Sequence, residues 1–141
     1  MFLDASAVVA VLLQEEDGAG ILKAMEAARG KLRFSPVTRI EATLALVRER
    51  VKARGKGPAQ ARDFDEAAEI VNQFFEAIEA HEMHITTGMG KDTIKALATY
   101  GKMVGHPAQL NMGDAFSYAC ARAYRIGLLY KGKDFSETDL A

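Results

Sequence analysis

Short apolar runs in this chain alternate with longer segments in which apolar residues return every three or four positions. The runs predict strands at residues 1–3, 32–34 and 128–130, and an apolar–polar alternation predicts a fourth at residues 82–86.

The segments with helical spacing are more numerous than the strands and separate them along the chain. The pattern predicts six helices: residues 7–13 and 19–28, two long helices with apolar stripes over 40–51 and 64–78, a fifth over 94–104, and a sixth over 114–126. A short linker containing Gly55 and Pro58 joins the two long helices. They are therefore predicted to form an αα-hairpin over residues 38–80.

This order of elements predicts an α/β fold. We expect one domain over residues 1–141, with a mainly parallel central sheet of about four strands flanked by helices, and with the αα-hairpin protruding from it. Ligands of such sheets bind beyond the carboxyl ends of the strands. The residues that follow the strands are therefore the first candidates for a functional site.

Composition narrows the classes of protein to which the chain can belong. The 141 residues are 49% hydrophobic and 26% charged, with a net charge of -1, which excludes a disordered chain and a general attraction for nucleic acid. The single cysteine, Cys120, excludes an internal disulfide. No signal peptide or membrane-length apolar segment is recognisable, so we expect a cytoplasmic protein without membrane association.

Four acidic residues lie beside predicted strand or helix ends. Asp4 follows the first strand, Asp134 follows the last, and Glu41 and Asp114 lie near the starts of two helices. The predicted topology brings all four to one edge of the sheet. Gathered there, they would form a strongly negative pocket of hard oxygen ligands, which typically holds Mg²⁺ or Mn²⁺ against a phosphate.

Each of these acids also has a purely structural interpretation, and both interpretations remain open on the sequence alone. The structural roles are an N-cap for Asp4, a Thr38–Glu41 capping box, an Asn111 cap with Asp114 in the first helical turn, and a turn at Asp134 before Ser136. The two roles are compatible, because a helix N-terminus keeps a nearby carboxylate ionised.

Four motifs in this order are similar to those of one known family. Residues 1–7, 35–41, 110–119 and 129–140 resemble the four acidic motifs of PIN-domain nucleases, and the last two are closest to the VapC-type toxins of bacterial and archaeal toxin–antitoxin pairs. The resemblance spans the whole chain. One departure lies in the second motif, where Glu41 supplies a longer side chain than an aspartate.

The resemblance implies an endoribonuclease that depends on Mg²⁺ or Mn²⁺. Asp4, Glu41, Asp114 and Asp134 would be both the catalytic residues and the metal ligands, and water attack would leave a 5′-phosphate and a 3′-hydroxyl. It also implies a homodimer and a cognate antitoxin protein. Candidate outer groups that orient the ligands or water are Ser6, Thr38, Asn111 and Asp139.

An RNA substrate requires positive charge beside the acidic pocket. Lys131 and Lys133 flank Asp134 and are predicted to contact RNA, and Arg39 is predicted either to reach RNA or to pair with a carboxylate. The denser basic run over residues 48–56 is interpreted, for most of its members, as a solvated helix face.

Two other function classes fit the sequence less well. A catalytically inert PIN-like binding or dimerisation module would have no reason to keep four uncompensated acids together. An aspartate-based phosphatase or receiver domain would need acidic residues that Asp4-Ala5-Ser6 and Thr86-Thr87-Gly88 do not supply.

The αα-hairpin is predicted to serve assembly, as a dimer interface or as a groove for an antitoxin helix.

Overall fold

Helices and strands alternate through most of the chain, as the spacing predicts. The computed structural model describes residues 1–140. Its elements in chain order are β1 (Phe2–Leu3), α1 (Ala5–Leu12), α2 (Gly18–Ala27), β2 (Arg33–Phe34), α3 (Pro36–Arg54), α4 (Ala61–Ala77), β3 (His81–Glu82), α5 (Thr87–Tyr100), α6 (Met112–Tyr124) and β4 (Leu128–Leu129), with a 3₁₀ turn (Lys102–Val104) after α5. Among residues 1–140, no helix combines the length and apolarity needed to cross a membrane.

The four strands form one sheet in the order β3-β2-β1-β4, and every pair is parallel. The predicted parallel α/β sheet is therefore confirmed. Along the chain, β2 and β3 are added on one side of β1, and β4 is added on the other. The strand order thus changes direction at β1, and a crevice at the carboxyl end of β1 is where such sheets bind ligands.

The sheet separates two apolar layers. Leu3 packs into a core with α1, α2, α3 and α4, whereas its neighbour Phe2 points to the other side and packs with Met83, Phe116 and Cys120. Leu3 and Phe2 lie on opposite faces of the sheet because successive side chains of a strand point to opposite sides. Both residues are fully buried, so β1 is fixed from both faces and Asp4, which follows it, is held firmly in place.

The predicted αα-hairpin is present as α3 and α4. Gly55 ends α3 with φ 83°, a left-handed conformation that favours glycine, and Arg54 forms an ion pair with the buried Asp63 of α4. At the other end of the hairpin, the rings of Phe34 and Phe75 stack with centroids 3.6 Å apart. The Phe34–Phe75 stack therefore holds the hairpin against the sheet, and the Arg54–Asp63 ion pair holds its two helices together at the tip.

Two predicted elements have different bounds in the structure. The third strand was expected at residues 82–86, but it covers only His81–Glu82, and Thr86 is the N-cap of α5. Of the alternating apolar pair, Met83 is buried and Ile85 is exposed, so the alternation does not mark one packed face. The fifth helix was expected over residues 94–104, but α5 covers Thr87–Tyr100 and the chain continues as the 3₁₀ turn.

Candidate active site

Asp4 lies at the carboxyl end of β1, where the sheet order changes direction. Its carboxylate caps α1 by accepting hydrogen bonds from the Ser6 backbone N–H at 3.0 Å and from the Ser6 hydroxyl at 2.6 Å. The Ser117 hydroxyl of α6 donates a third bond at 2.6 Å. Only 4% of Asp4 is exposed. The predicted N-cap role is confirmed, and it leaves Asp4 rigidly oriented.

Glu41 lies in the second turn of α3 and does not cap that helix. The helix begins at Pro36 with Ser35 as N-cap, and the capping box pairs Ser35 with Thr38. The predicted Thr38–Glu41 capping box was therefore wrong. Thr38 instead donates its hydroxyl to the Leu3 carbonyl at 3.2 Å, which ties α3 to the strand that carries Asp4. The Glu41 carboxylate remains available to the crevice.

Asp114 occupies the third position of α6 and belongs to a capping box with Asn111. The Asn111 side chain accepts from the Asp114 backbone N–H at 2.9 Å, and the Asn111 backbone N–H donates to the Asp114 carboxylate at 3.1 Å. The predicted cap is confirmed. Because the carboxylate is only half-buried and one oxygen is held in this way, Asp114 retains an oxygen with which to bind a cation.

Asp134 lies in the turns that follow β4. A tight turn at this point is formed by Ser136, whose backbone N–H and hydroxyl both donate to the Lys133 carbonyl at 3.0 and 2.6 Å. The Asp134 side chain is exposed. It is nevertheless close enough for its charge to raise the pKa of Asp114.

The carboxylates act on one another electrostatically. Burial and then the charges of Asp4 and Asp114 raise the pKa of Glu41 from 4.5 to about 7. Burial raises the pKa of Asp114 from 3.8 to about 6, against the hydrogen bond from Asn111 and with further contributions from Asp4 and Asp134. Both shifts show that ionising the whole cluster is costly, which is the condition that a bound cation relieves.

Gly113 provides the space that the Glu41 carboxylate occupies. A Cβ atom placed on Gly113 would lie 2.7 Å from the Glu41 carboxyl carbon, which is closer than non-bonded carbon atoms approach. The glycine therefore lets a side chain of α3 rest against the N-terminal turn of α6, beside Asp114. The longer stem of Glu41, a departure from aspartate in the second motif, reaches the site through this gap.

The donor set suits a hard divalent cation. All four side chains offer carboxylate oxygens, the ligands that Mg²⁺ prefers. Within residues 1–140, no three acidic, histidine or cysteine side chains are already positioned as a complete metal-ligand set. The Glu41 carboxylate lies against Gly113, next to Asp114, and burial and the charges of Asp4 and Asp114 raise the pKa of Glu41, so the chemistry of these side chains fits a cation that they would hold together.

Ser117 is a site residue that the sequence did not single out. The residue is 3% exposed, and its hydroxyl donates to Asp4, 113 positions earlier in the sequence. Ser6, which was predicted, has a comparable role: it donates to Asp4 and accepts from the Lys131 backbone N–H at 3.0 Å. Ser6 thus links Asp4 to the segment that carries Asp134.

Replacing Ser117 with Ala should weaken both folding and activity. The change leaves a buried Asp4 oxygen without one of its donors, so we expect a loss of about 1–3 kcal/mol in the free energy of unfolding. Any cleavage that depends on Asp4 should fall about 10–100-fold. Denaturant unfolding and RNA cleavage measure the two effects. The control is Thr99→Ala, which removes an exposed hydroxyl that donates a hydrogen bond within α5. If Ser117→Ala and Thr99→Ala have the same stability and the same cleavage activity, the role of Ser117 is contradicted.

Two predicted residues have other partners. The Arg39 guanidinium forms a bidentate ion pair with Glu82 at 3.1 and 2.6 Å, so of its two predicted roles the pairing with a carboxylate is observed, and the contact with RNA stays a prediction. Asp139 accepts from the Tyr118 hydroxyl at 2.7 Å and lies 3.4 Å from Arg122. Within residues 1–140 it has no hydrogen bond to the four acids, and its predicted outer role stays a prediction.

The two lysines beside Asp134 differ in their surroundings. The Lys131 ammonium lies 3.2 Å from the Glu15 carboxylate and lines the groove next to Glu41. Lys133 is exposed. Their contact with RNA stays a prediction.

Comparison with known proteins identifies the family. The PIN domain model matches residues 1–140. A VapC ribonuclease of Rhizobium meliloti (strain 1021) is 45% identical over 99% of this chain and 98% of its own length. Ribonuclease VapC42 of Mycobacterium tuberculosis is 34% identical over 99% of this chain and 96% of its own length.

A solved structure supports the same fold. Mycobacterium tuberculosis VapC20, described as a sarcin–ricin loop cleaving toxin, superposes with a TM-score of 0.71 over 99% of this chain and 95% of that one, at 15% identity. At that identity the likeness concerns the fold alone. The family match and the two relatives carry the assignment: the chain belongs to the VapC family of PIN-domain ribonucleases.

Proposed function

We propose that this protein is an endoribonuclease that depends on Mg²⁺ or Mn²⁺ and that it is the toxin of a toxin–antitoxin pair. The observation that carries the proposal is the meeting of Asp4, Glu41 and Asp114 at the point where the sheet order changes direction, with the pKa values of Glu41 and Asp114 raised by their neighbours. Relatives at 45% and 34% identity are named ribonucleases.

The chain supplies orientation and charge for this chemistry. Asp4 is fixed by three hydrogen bonds, and Asp114 is fixed by its capping box, so both hold their oxygens in place before a ligand arrives. Glu41 and Asp134 are less restrained and can adjust. When bound between them, a divalent ion would lower the pKa of a water, orient it toward the phosphorus and stabilise the leaving oxygen.

The positions of the histidines support the proposed hydrolysis by water. In residues 1–140 the three histidines are His81 in β3, His84 just after it, and His106 in the loop before α6. The His106 ring accepts from the Ala108 backbone N–H at 3.1 Å and packs edge-on against Tyr100. No pair of histidines is therefore arranged for acid–base transfer through a cyclic phosphate. The expected products carry a 5′-phosphate and a 3′-hydroxyl.

The partners that we propose are an RNA substrate, a cognate antitoxin and a second copy of this chain. The names of the relatives support the first two. Exposed apolar side chains on the αα-hairpin, Phe64 and Ile70 of α4, are consistent with its predicted role in assembly. An antitoxin that covers the crevice would hide the carboxylates from RNA.

Cleavage of total RNA by the purified, antitoxin-free protein tests the proposal. We expect discrete fragments with Mg²⁺ or Mn²⁺, 5′-phosphate ends on the products, and no cleavage in EDTA. Fragments that form equally well in EDTA would contradict the metal-dependent mechanism. A folded protein that neither cleaves RNA nor gains thermal stability from either metal would favour the inert binding module.

A further inference from the structure

One arginine of α3 differs from the others in having no acidic partner. Arg39, Arg50 and Arg54 form ion pairs with Glu82, Glu66 and Asp63, respectively. Within residues 1–140, Arg48 has no carboxylate within ion-pair distance and no side-chain hydrogen bond. Three of the four guanidinium groups on this helix therefore have structural partners, and the fourth is available to a ligand.

Arg48 lies beside the acidic crevice. It follows Glu41 by seven positions on α3, which places the two side chains on the same helix face. Both line a groove of about 610 Å³ between α1 and α3, to which Ser6 and Lys131 also contribute. The charge of Arg48 is near enough to oppose the rise in the pKa of Glu41.

The position of Arg48 matters because the crevice itself repels a polyanion. The chain has a net charge of -1, so no general field attracts RNA, and the carboxylates at the reacting centre carry the same sign as the phosphates. A positive group must therefore hold the strand where it leaves the crevice. Lys131 is partly neutralised by Glu15 at 3.2 Å, whereas Arg48 keeps its full charge and a planar donor set that matches phosphate oxygens.

We propose that Arg48 binds a backbone phosphate of the RNA strand adjacent to the scissile phosphate and so fixes the path of the substrate along the groove. The proposal rests on the proposed nuclease function and adds a substrate contact to it. It assigns Arg48 to the sugar–phosphate backbone and not to the bases, so the contact should be the same for RNAs of different sequence.

A simpler role for Arg48 would be to act only as a counter-charge for Glu41. The two roles give different results when RNA binding is measured without metal. A phosphate contact contributes to the salt dependence of RNA binding, because each neutralised phosphate releases counterions. A counter-charge for Glu41 leaves that salt dependence unchanged and alters only the binding of metal.

The test measures binding of a labelled oligouridylate in EDTA over a series of salt concentrations. Arg48→Ala removes the contact, so this variant should bind RNA about tenfold more weakly than the wild type. Its slope of log affinity against log salt should be smaller in magnitude by about 0.7. Arg48→Lys should recover most of the salt slope but not all of the affinity, because Lys lacks the bidentate fork. Lys52→Ala, an exposed position on the same helix that does not line the groove, should bind like the wild type.

The outcomes separate this proposal from the nuclease function. Binding by Arg48→Ala with the affinity and salt slope of the wild type would overturn the phosphate contact, even if the wild type cleaves RNA. A wild type that does not bind oligouridylate at low salt would overturn it as well. If binding depends on Arg48 while no RNA is cleaved with Mg²⁺ or Mn²⁺, the contact stands and the proposed catalytic function fails.

Discussion

Replacing Asp114 with Asn is expected to reduce RNA cleavage by more than about a hundredfold, beyond the loss typical of an outer partner of a metal ligand. The substitution keeps the shape of the side chain and an oxygen that can accept from the Asn111 backbone N–H. It removes the negative charge that a cation requires. Cleavage of total RNA with Mg²⁺ or Mn²⁺ measures the effect, and Asp65→Asn, on the exposed face of α4, is the matched control.

The same variant should change how stability depends on pH. The folded protein raises the pKa of Asp114 from 3.8 to about 6, so the folded state binds more protons than the unfolded state between these values. The ionised carboxylate is thus a destabilising element that is absent below about pH 4 and fully developed above about pH 6. In EDTA, the stability of Asp114→Asn relative to the wild type should therefore rise as the pH rises through this window.

Adding metal should reverse that advantage. A ligand that binds only the folded state stabilises it by mass action, and the wild type should gain this stabilisation while Asp114→Asn loses most of it. Thermal unfolding with and without Mn²⁺ at pH 8 measures the difference. If both proteins gain equally from Mn²⁺, Asp114 is not a ligand, even if cleavage is lost for another reason.

Replacing Gly113 with Ala should separate activity from stability. The new Cβ would meet the Glu41 carboxylate, which is the free end of a flexible side chain and can move away without disturbing the backbone. We expect cleavage to fall by about a hundredfold, because a displacement of about 1 Å at a reacting centre has that effect. The fold should persist, and the free energy of unfolding should rise by up to about 1 kcal/mol, since alanine favours a helix over glycine.

A matched control for this prediction lies at the start of α5. Gly88 occupies the same helical position as Gly113, two residues after a capping residue, and a Cβ there would meet only the Thr86 hydroxyl at an ordinary 3.7 Å. Gly88→Ala should stabilise the protein to a similar extent and leave cleavage unchanged. Full activity in Gly113→Ala would show that Glu41 does not need its observed position, and a collapse of stability would show that the space serves packing.

The hydrogen bonds of the site that the sequence reveals are those whose partners are close along the chain. Asn111 and Asp114 are three positions apart, and their capping box is readable because helix geometry alone brings them together. The Thr38–Glu41 spacing fits the same rule, but the capping box that it predicts is absent, and Ser35 pairs with Thr38 instead. Ser35 is followed by Pro36, which is favoured in the first turn, and this starts α3 three residues earlier.

Partners that are distant along the chain were not readable in the same way. Ser117 meets Asp4 only because α6 crosses the end of β1, and nothing in its local sequence distinguishes it from an ordinary helical serine. Arg39 finds Glu82 across the edge of the sheet, 43 positions away, so the choice between RNA and a carboxylate partner could not be made from spacing. The strand order that decides these contacts is a property of the whole fold.

The pairing of β1 with β4 has a consequence for how the protein is made. Phe2 and Leu128 are neighbours in the sheet, and Asp4 meets Ser117 across 113 positions of sequence. A chain still emerging from the ribosome has Asp4 and Glu41 but lacks the segments that carry Asp114 and Asp134. Because β1 pairs with β4, the four acids can meet only after the segments that carry Asp114 and Asp134 have been synthesised, so the shorter nascent chain lacks the complete carboxylate cluster.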